Sequence, residues 1–236
     1  MIVTLLLAIV PAFAQEPEPE EPKELTPEQK AILQVEFNKN LRLYRTAVRY
    51  NDLDVAKMAL YQMMLVNPNN VNLADSLAII YVQQQNYASA VLISQDILAA
   101  APDDLTALEI SAIGYENLGL RDKSLEAYEK LYLKNNDLNT LYKITFLQFS
   151  LQQYETALTN ADIVLANEKA KEFMLSFPIS QTEQVQVPMN ASILNLKGLI
   201  AKAKGDKEGA KGFFNQALEI APNFPAPKQN IENIDK

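Results

Sequence analysis

The chain has 236 residues and a formal net charge of −8 at neutral pH, and it contains neither cysteine nor histidine. Disulfides, thiolate metal ligands and the imidazole groups that commonly transfer protons near neutral pH are therefore excluded. The sequence also shows no long basic run, nucleophile paired with a base, phosphate-binding glycine loop or cluster of metal-ligand residues. We therefore expect no enzyme activity, no catalytic residues, no cofactor, no metal site and no nucleic acid partner.

Residues 1–14 have the pattern of a secretory signal peptide. An apolar run from Ile2 to Val10 is followed by the small residues Ala12 and Ala14, which suit cleavage after Ala14. The run is shorter than the about 20 apolar residues that a membrane-spanning helix needs. We expect a periplasmic or secreted protein that is not an integral membrane protein once processed, with an uncleaved anchor as the alternative.

Residues 15–25 are rich in Glu and Pro and are predicted to form an acidic linker that stays extended and solvated. The first helix is predicted to begin after Thr26, an N-cap with Pro27 at the first helical position and Gln29 able to close a capping box. Apolar residues at helical spacing carry this helix to about Tyr50. Its first turns exceed what a hairpin needs and are expected to act as an N-terminal cap.

The rest of the chain repeats at an interval of about 34 residues. A small residue is followed twelve positions later by Pro or Asn in three successive units, and these pairs are Ala56 with Pro68, Ala90 with Pro102, and Ser124 with Asn136. A fourth unit carries Tyr154 and Ala157 where the second carries Tyr87 and Ala90, with a shift of one residue. A small residue is needed where the two helices of a hairpin cross, because a larger side chain would force them apart.

The stretch 198–222 shows one complete unit. Gly198 permits a close contact between helices, and Gly205 breaks the first helix. One face of the second helix is then formed by Ala210, Phe214 and Ala217.

These spacings resemble those of the tetratricopeptide repeat (TPR) family, and the export signal points to an exported bacterial member. The resemblance covers the chain from residue 26 to residue 236. It implies an all-α, right-handed superhelix, or α-solenoid, of about five helical hairpins. The predicted repeats are 37–70, 71–104, 105–137, 138–170 and 190–223, with an insertion at 171–189 and a C-terminal capping helix within 224–236.

The insertion departs most from the repeat pattern. Its central part, Ser176 to Val187, contains Pro178 and alternates with a period of two rather than with helical spacing. The helix before it is predicted to continue toward Met174. Insertions in repeat proteins often emerge on the binding face, so the segment is either a passive loop or a strap along the groove.

The resemblance also implies a binding surface, because the first helix of each TPR hairpin lines the concave side of the stack. The register assigns to this partner groove Asn38, Arg42, Arg45, Arg49, Asn72, Asp75, Ile79, Gln83, Glu109, Ile113, Glu116, Tyr142, Phe146 and Phe149. The surface changes along its length from basic, through acidic and mixed, to aromatic. Solvated arginines and aromatic residues of the core are the alternative interpretations of its two ends.

Some TPR proteins bind the carboxylates of chaperone tails with a set of Lys, Arg and Asn side chains. The corresponding residues here are Leu41, Arg45, Ser76, Thr106 and Ile110. The resemblance therefore gives no support for chaperone-tail binding.

These features predict a non-enzymatic scaffold or adaptor in the cell envelope, binding an extended segment of another envelope protein in its concave groove. The alternative is a carrier of a small apolar ligand, held in a cavity between repeat four and the insertion. A third possibility is a subunit that assembles end to end, and the sequence leaves the oligomeric state open.

Overall fold

The computed structural model describes residues 25–180 and 182–235. The predicted signal peptide, and the predicted acidic linker apart from its last residue, lie outside the described residues. Within the described part of the chain, no helix has both the length and the hydrophobicity that crossing a bilayer requires.

The described residues form twelve α-helices and one two-stranded antiparallel sheet. The helices are α1 (Pro27–Arg49), α2 (Leu53–Val66), α3 (Val71–Gln83), α4 (Tyr87–Ala100), α5 (Leu105–Asn117), α6 (Arg121–Asn135), α7 (Leu138–Ser150), α8 (Tyr154–Ala166), α9 (Lys169–Glu172), α10 (Met189–Ala203), α11 (Lys207–Ile220) and α12 (Pro225–Glu232). The strands are β1 (Met174–Pro178) and β2 (Gln184–Pro188).

Ten of these helices pair into hairpins, and each hairpin turns in the same way. One residue of each turn has left-handed backbone angles, with φ of 56° at Asn51, 57° at Gln85, 74° at Gly119, 60° at Gln152 and 86° at Gly205. The N–H of the next residue donates to the carbonyl oxygen five positions earlier, at 2.8 or 2.9 Å in every turn. This is the Schellman geometry, which satisfies carbonyl groups at a helix end.

Small side chains fill the point where the two helices of each hairpin cross. All five are fully buried, and they are Ala56, Ala90, Ser124, Ala157 and Ala210. The second helix of each hairpin then packs against the first helix of the next, so α2 contacts α3, α4 contacts α5, α6 contacts α7, and α8 contacts α10. The predicted all-α solenoid is confirmed.

The N-terminal helix begins with the predicted capping box. The N–H of Gln29 donates to the Thr26 hydroxyl at 3.2 Å, and the N–H of Thr26 donates to the Gln29 side chain at 2.9 Å. Later in the helix, Phe37 packs against the core of the first hairpin. On the predicted capping turns, however, Ile32 and Val35 are 67% and 68% exposed.

The segment between the fourth and fifth hairpins differs from the prediction. The helix expected to run toward Met174 ends at Ala166, because the extended Asn167 places its side-chain oxygen 3.0 Å from the N–H of Lys169 and starts a new turn. The following residues are not a passive loop, because β1 and β2 pair in register from Met174 with Pro188 to Pro178 with Gln184.

The apolar face of this β-hairpin is part of the core at the C-terminal end of the stack. Val187 is fully buried, and the ring centroids of Phe177 and Phe224 lie 4.8 Å apart. Val187, Ala221 and Phe224 form one cluster, which places the hairpin at the α11–α12 junction. This position does not match the predicted strap along the groove.

The C-terminal helix covers the last hairpin, where Phe224 and Ile234 are 1% and 4% exposed. It spans Pro225–Glu232, within the predicted 224–236, and Pro225 and Pro227 lie in its first turn. The first turn of a helix tolerates proline, since its N–H groups have no partner within the helix. The end of the stack is therefore covered, which disfavours the predicted end-to-end assembly through this face.

Candidate functional site

The first helices of successive hairpins form one wall, within which α3 packs against α5 and α7 packs against α10. Two cavities open around α5 and α7. One, of about 620 Å³, is lined by residues that include Glu109, Ile113, Glu116, Tyr128, Asn139 and Lys143. The other, of about 410 Å³, is lined by Glu116, Arg121, Tyr142, Lys143, Phe146, Leu147 and Ser150. They share Glu116 and Lys143, and together they are termed the central groove.

The larger cavity lies where the repeat is irregular. Four residues, 67–70, connect α2 to α3, and four more, 101–104, connect α4 to α5. Only Asn136 and Asp137 connect α6 to α7, and Asn136 adopts a left-handed φ of 48°. Asp137 of this short connection lines the cavity, together with Asn135 at the end of α6. The larger cavity therefore lies beside the shortest of the described connections between hairpins.

Glu116 is the centre of the groove's polar network. Lys143 Nζ lies 3.4 Å from both of its carboxylate oxygens, and the Tyr128 hydroxyl donates to Oε2 at 3.1 Å. Burial, followed by the charge of Glu116, raises the pKa of Tyr128 well above its ordinary value, so the hydroxyl remains a donor at neutral pH. Glu109, in contrast, is exposed and forms no ion pair with any residue that the structure describes.

The other end of the groove is aromatic. The ring centroids of Tyr142 and Phe146 lie 4.6 Å apart at an interplanar angle of 44°. The Tyr142 hydroxyl is 2.9 Å from the hydroxyl of Ser192 on α10, and burial raises the pKa of Tyr142. Both rings also pack against the core cluster that contains Met189 and Ile193. Tyr142 and Phe146 are therefore partly core residues and partly the lining of the smaller cavity.

Comparison with known proteins agrees with this architecture. A family model described as tetratricopeptide repeat matches residues 191–224. The fifth hairpin is a tetratricopeptide repeat.

Solved structures share the TPR fold at low sequence identity. A TPR protein from Parabacteroides merdae ATCC 43184 superposes with a TM-score of 0.67 at 20% identity, covering 84% of this chain and 72% of that one. The MamA protein gives 0.63 at 14% identity, covering 85% and 96%. YrrB, a TPR protein with an unusual peptide-binding site, gives 0.67 at 13% identity, covering 82% and 90%. No curated protein sequence gives a significant match.

The central groove contains only some of the predicted partner residues. Those that line it are Glu109, Ile113, Glu116, Tyr142 and Phe146. Phe149 packs instead near Tyr154, with ring centroids 6.1 Å apart, and against the core beside α10.

The predicted residues on α1 and α3 lie on earlier repeats. Arg42, Arg45 and Arg49 are exposed on α1, as are Asn38 on the same helix and Asn72, Ile79 and Gln83 on α3. Asn38 accepts a hydrogen bond from Gln34 at 3.2 Å, and the guanidinium of Arg49 lies 5.8 Å from the centroid of the Tyr50 ring. None of the three arginines forms an ion pair within the described part of the chain.

Among the predicted groove residues, Asp75 has a carboxylate whose pKa is raised. Its Oδ1 atom is shielded from solvent and accepts no hydrogen bond from any residue that the structure describes. Burial, and then the negative charge of Asp104, raise the pKa of Asp75 to about 6. This carboxylate would gain from a cationic or donor group on a binding partner.

The register did not identify Tyr128, Asn139 and Lys143, which line the larger cavity. Tyr128 belongs to a second helix, and such helices were not expected to reach the groove. The one-residue shift between the third and fourth repeats is the sequence signal that could have located this opening. The register also assigned no residue of α10 to the groove. On this helix, Asn195 accepts a hydrogen bond from Asn230 at 2.9 Å, and Lys202 donates to the Asn233 carbonyl at 2.5 Å.

Proposed function

We propose that this TPR protein is a non-enzymatic adaptor that holds an extended segment of another protein in the central groove. The observation that carries the proposal is the pair of adjoining cavities, one polar and one partly aromatic, that share Glu116 and Lys143. Successive side chains of an extended segment could occupy the two cavities, which would provide both affinity and register. The fold likeness to YrrB is consistent with such a role in this chain.

We further propose that the protein acts in the cell envelope of a bacterium, where its partner would be another envelope protein. This proposal rests on the apolar run and small residues of 1–14 alone. Mass spectrometry of the mature N-terminus, together with cell fractionation, tests it. A cytoplasmic protein that retains residues 1–14 would contradict it.

Site-specific photocrosslinking tests the groove. A photoreactive amino acid at Ile113, inside the larger cavity, should capture a partner in living cells, and mass spectrometry of the crosslinked product would identify the segment. The same amino acid at Leu133, which is 81% exposed on α6, is the control for chance encounters. Phe146→Ala in the Ile113 background should reduce the crosslink, because it removes one wall of the adjoining cavity. Equal capture from both positions would contradict the groove assignment.

The predicted carrier of a small apolar ligand has no support in these contacts. Tyr142, Phe146 and Phe149 pack against the core beside α10, and the β-hairpin packs at the α11–α12 junction. The smaller cavity also contains the charged groups of Glu116 and Lys143, which an apolar ligand would have to desolvate.

A further inference from the structure

The larger cavity of the central groove has an excess of negative charge. Its lining includes three carboxylates, Glu109, Glu116 and Asp137, and one cation, Lys143. Two of the carboxylates already have partners, since Asp137 accepts from the backbone N–H of Thr140 at 2.9 Å and Glu116 accepts from Lys143 and Tyr128. Of these three carboxylates, only Glu109 has neither an ion pair nor a hydrogen bond to its side chain within the described residues.

We infer that the larger cavity binds a basic side chain of the partner segment, with Glu109 as its main acceptor and Glu116 as the second. This inference rests on the proposed function and adds the chemistry of the bound segment. Charge complementarity supports it, because an acidic side chain in the same cavity would meet an unpaired carboxylate.

The polar lining favours arginine over lysine. Asn117 and Asn139 add amide groups to the cavity wall beside the two glutamates. A guanidinium presents five donors in a planar fork and can contact two carboxylates at once, whereas an ammonium acts as a compact point charge. A volume of about 620 Å³ gives an arginine side chain room to enter.

The smaller cavity indicates which side chain of the partner would follow the basic one. Tyr142 and Phe146 offer it an apolar surface. Both cavities follow α7, and Asn139 in one cavity and Phe146 in the other lie about 10 Å apart along the helix axis. A polyproline II segment places every third side chain on one side, about 9 Å apart. The partner motif is therefore a basic residue followed, three positions later, by an aromatic or aliphatic one.

Lys143 should weaken the binding of a basic peptide. It lies 3.4 Å from both oxygens of Glu116 and so occupies the acceptor that a partner's cation would use. Removing this charge should free Glu116 and strengthen the binding of a basic peptide. Removing the charge of Glu109 should weaken it.

Fluorescence polarisation with synthetic peptides tests the inference. The probe is the labelled nonapeptide PPRPPFPPG, compared with versions that carry Glu or Gln in place of Arg, or Ala in place of Phe. Wild-type protein should bind the Arg peptide at least about tenfold more tightly than the Glu peptide, with affinity falling as salt is added. Glu109→Gln should weaken the Arg peptide about fivefold or more, and Lys143→Gln should strengthen it.

Glu129→Gln is the matched control, because it makes the same charge change at an exposed position of α6. It should leave the affinity unchanged, and circular dichroism would establish that all variants are folded. Equal binding of the Arg and Glu peptides, an unchanged affinity in Glu109→Gln, or no binding by any peptide would overturn the inference. Capture of a partner at Ile113 combined with any of these results would retain the proposed function and reject only the basic side chain.

Discussion

The backbone of Gly198 packs directly on the ring of Phe214, and a Cβ atom added to Gly198 would lie 2.4 Å from Cε1 of that ring. Phe214 is fully buried, with Ala210 and Ile234 in the same cluster. This is the close helix contact that the sequence predicts for the fifth hairpin. It joins α10 to α11 at the point where the next element, α12, closes the end of the stack.

Replacing Gly198 by alanine should lower the free energy of unfolding by about 1–3 kcal/mol, because the added methyl group overlaps a ring that has no room to move. Urea unfolding followed by circular dichroism measures the change. Gly212→Ala on α11 is the matched control, since a Cβ there meets nothing within 4 Å. That substitution should be neutral or stabilising by up to about 1 kcal/mol, through helix propensity alone. Equal losses in the two variants would contradict the packing argument.

In the turns between paired helices, replacing a residue by glycine should change the stability of the protein. Gln85 and Gln152 adopt left-handed angles in turns where Gly119 and Gly205 occupy the equivalent places. Left-handed angles lower the free energy of unfolding by about 1–2 kcal/mol when the residue has a side chain. Glycine avoids this strain but lowers the free energy of unfolding by about 0.5–1 kcal/mol, because it loses more conformational entropy on folding.

Gln152→Gly should therefore stabilise the protein by about 0.5 kcal/mol, and Gly119→Ala should destabilise it by about 1 kcal/mol. Thermal unfolding of both variants gives the two signs. A lower melting temperature for Gln152→Gly would show that the glutamine side chain contributes contacts that outweigh the strain.

Asp75 should make stability depend on pH. Its folded-state pKa is raised to about 6, above the value of about 3.9 for an unfolded chain. The folded state therefore binds the proton more tightly, so this group adds stability as the pH falls through about 6, with the gain complete below about 4.

Asp75→Asn should consequently stabilise the protein at pH 8, by about 1 kcal/mol once solvent screening of this partly exposed carboxylate is considered. Denaturant unfolding at several pH values measures the difference between the variant and the wild type. The difference should shrink as the pH falls and disappear below about pH 3, where Asp75 is protonated in both states. A constant difference over the whole range would point to a packing effect instead.

Two buried serines connect the second and third hairpins. Ser94 donates to the Val91 carbonyl at 2.9 Å, so its single proton is used, and Ser111 donates to Ser94 at 2.8 Å. Ser94 and Ser111 are 0% and 2% exposed.

Ser94→Ala should cost about 1–3 kcal/mol, because it leaves the Ser111 hydroxyl buried without a partner. The double variant with Ser111→Ala should cost less than the sum of the two single changes, since no unsatisfied hydroxyl then remains. A double-mutant cycle from urea unfolding gives the coupling energy. Strict additivity would indicate that the two hydroxyls do not interact.

Local sequence patterns determined most of the architecture of this protein. The turn positions, the buried small residues and the capping box at Thr26 depend on interactions within a few residues or within one hairpin. Such interactions leave a periodic signal in the chain, and the repeat makes that signal visible several times. The β-hairpin was only partly predictable. Its alternation was evident in the sequence, but its packing on Phe224 depends on residues far along the chain.

The tertiary structure alone decided which concave residues act together. The sequence placed Glu109, Glu116 and Phe146 on one surface, but it could not show that two cavities open beside them. It also could not show that Lys143 lies against Glu116. Helix periodicity specifies the face on which a side chain lies, whereas ion pairs and cavities depend on how far neighbouring helices stand apart, and that distance is decided by packing between repeats.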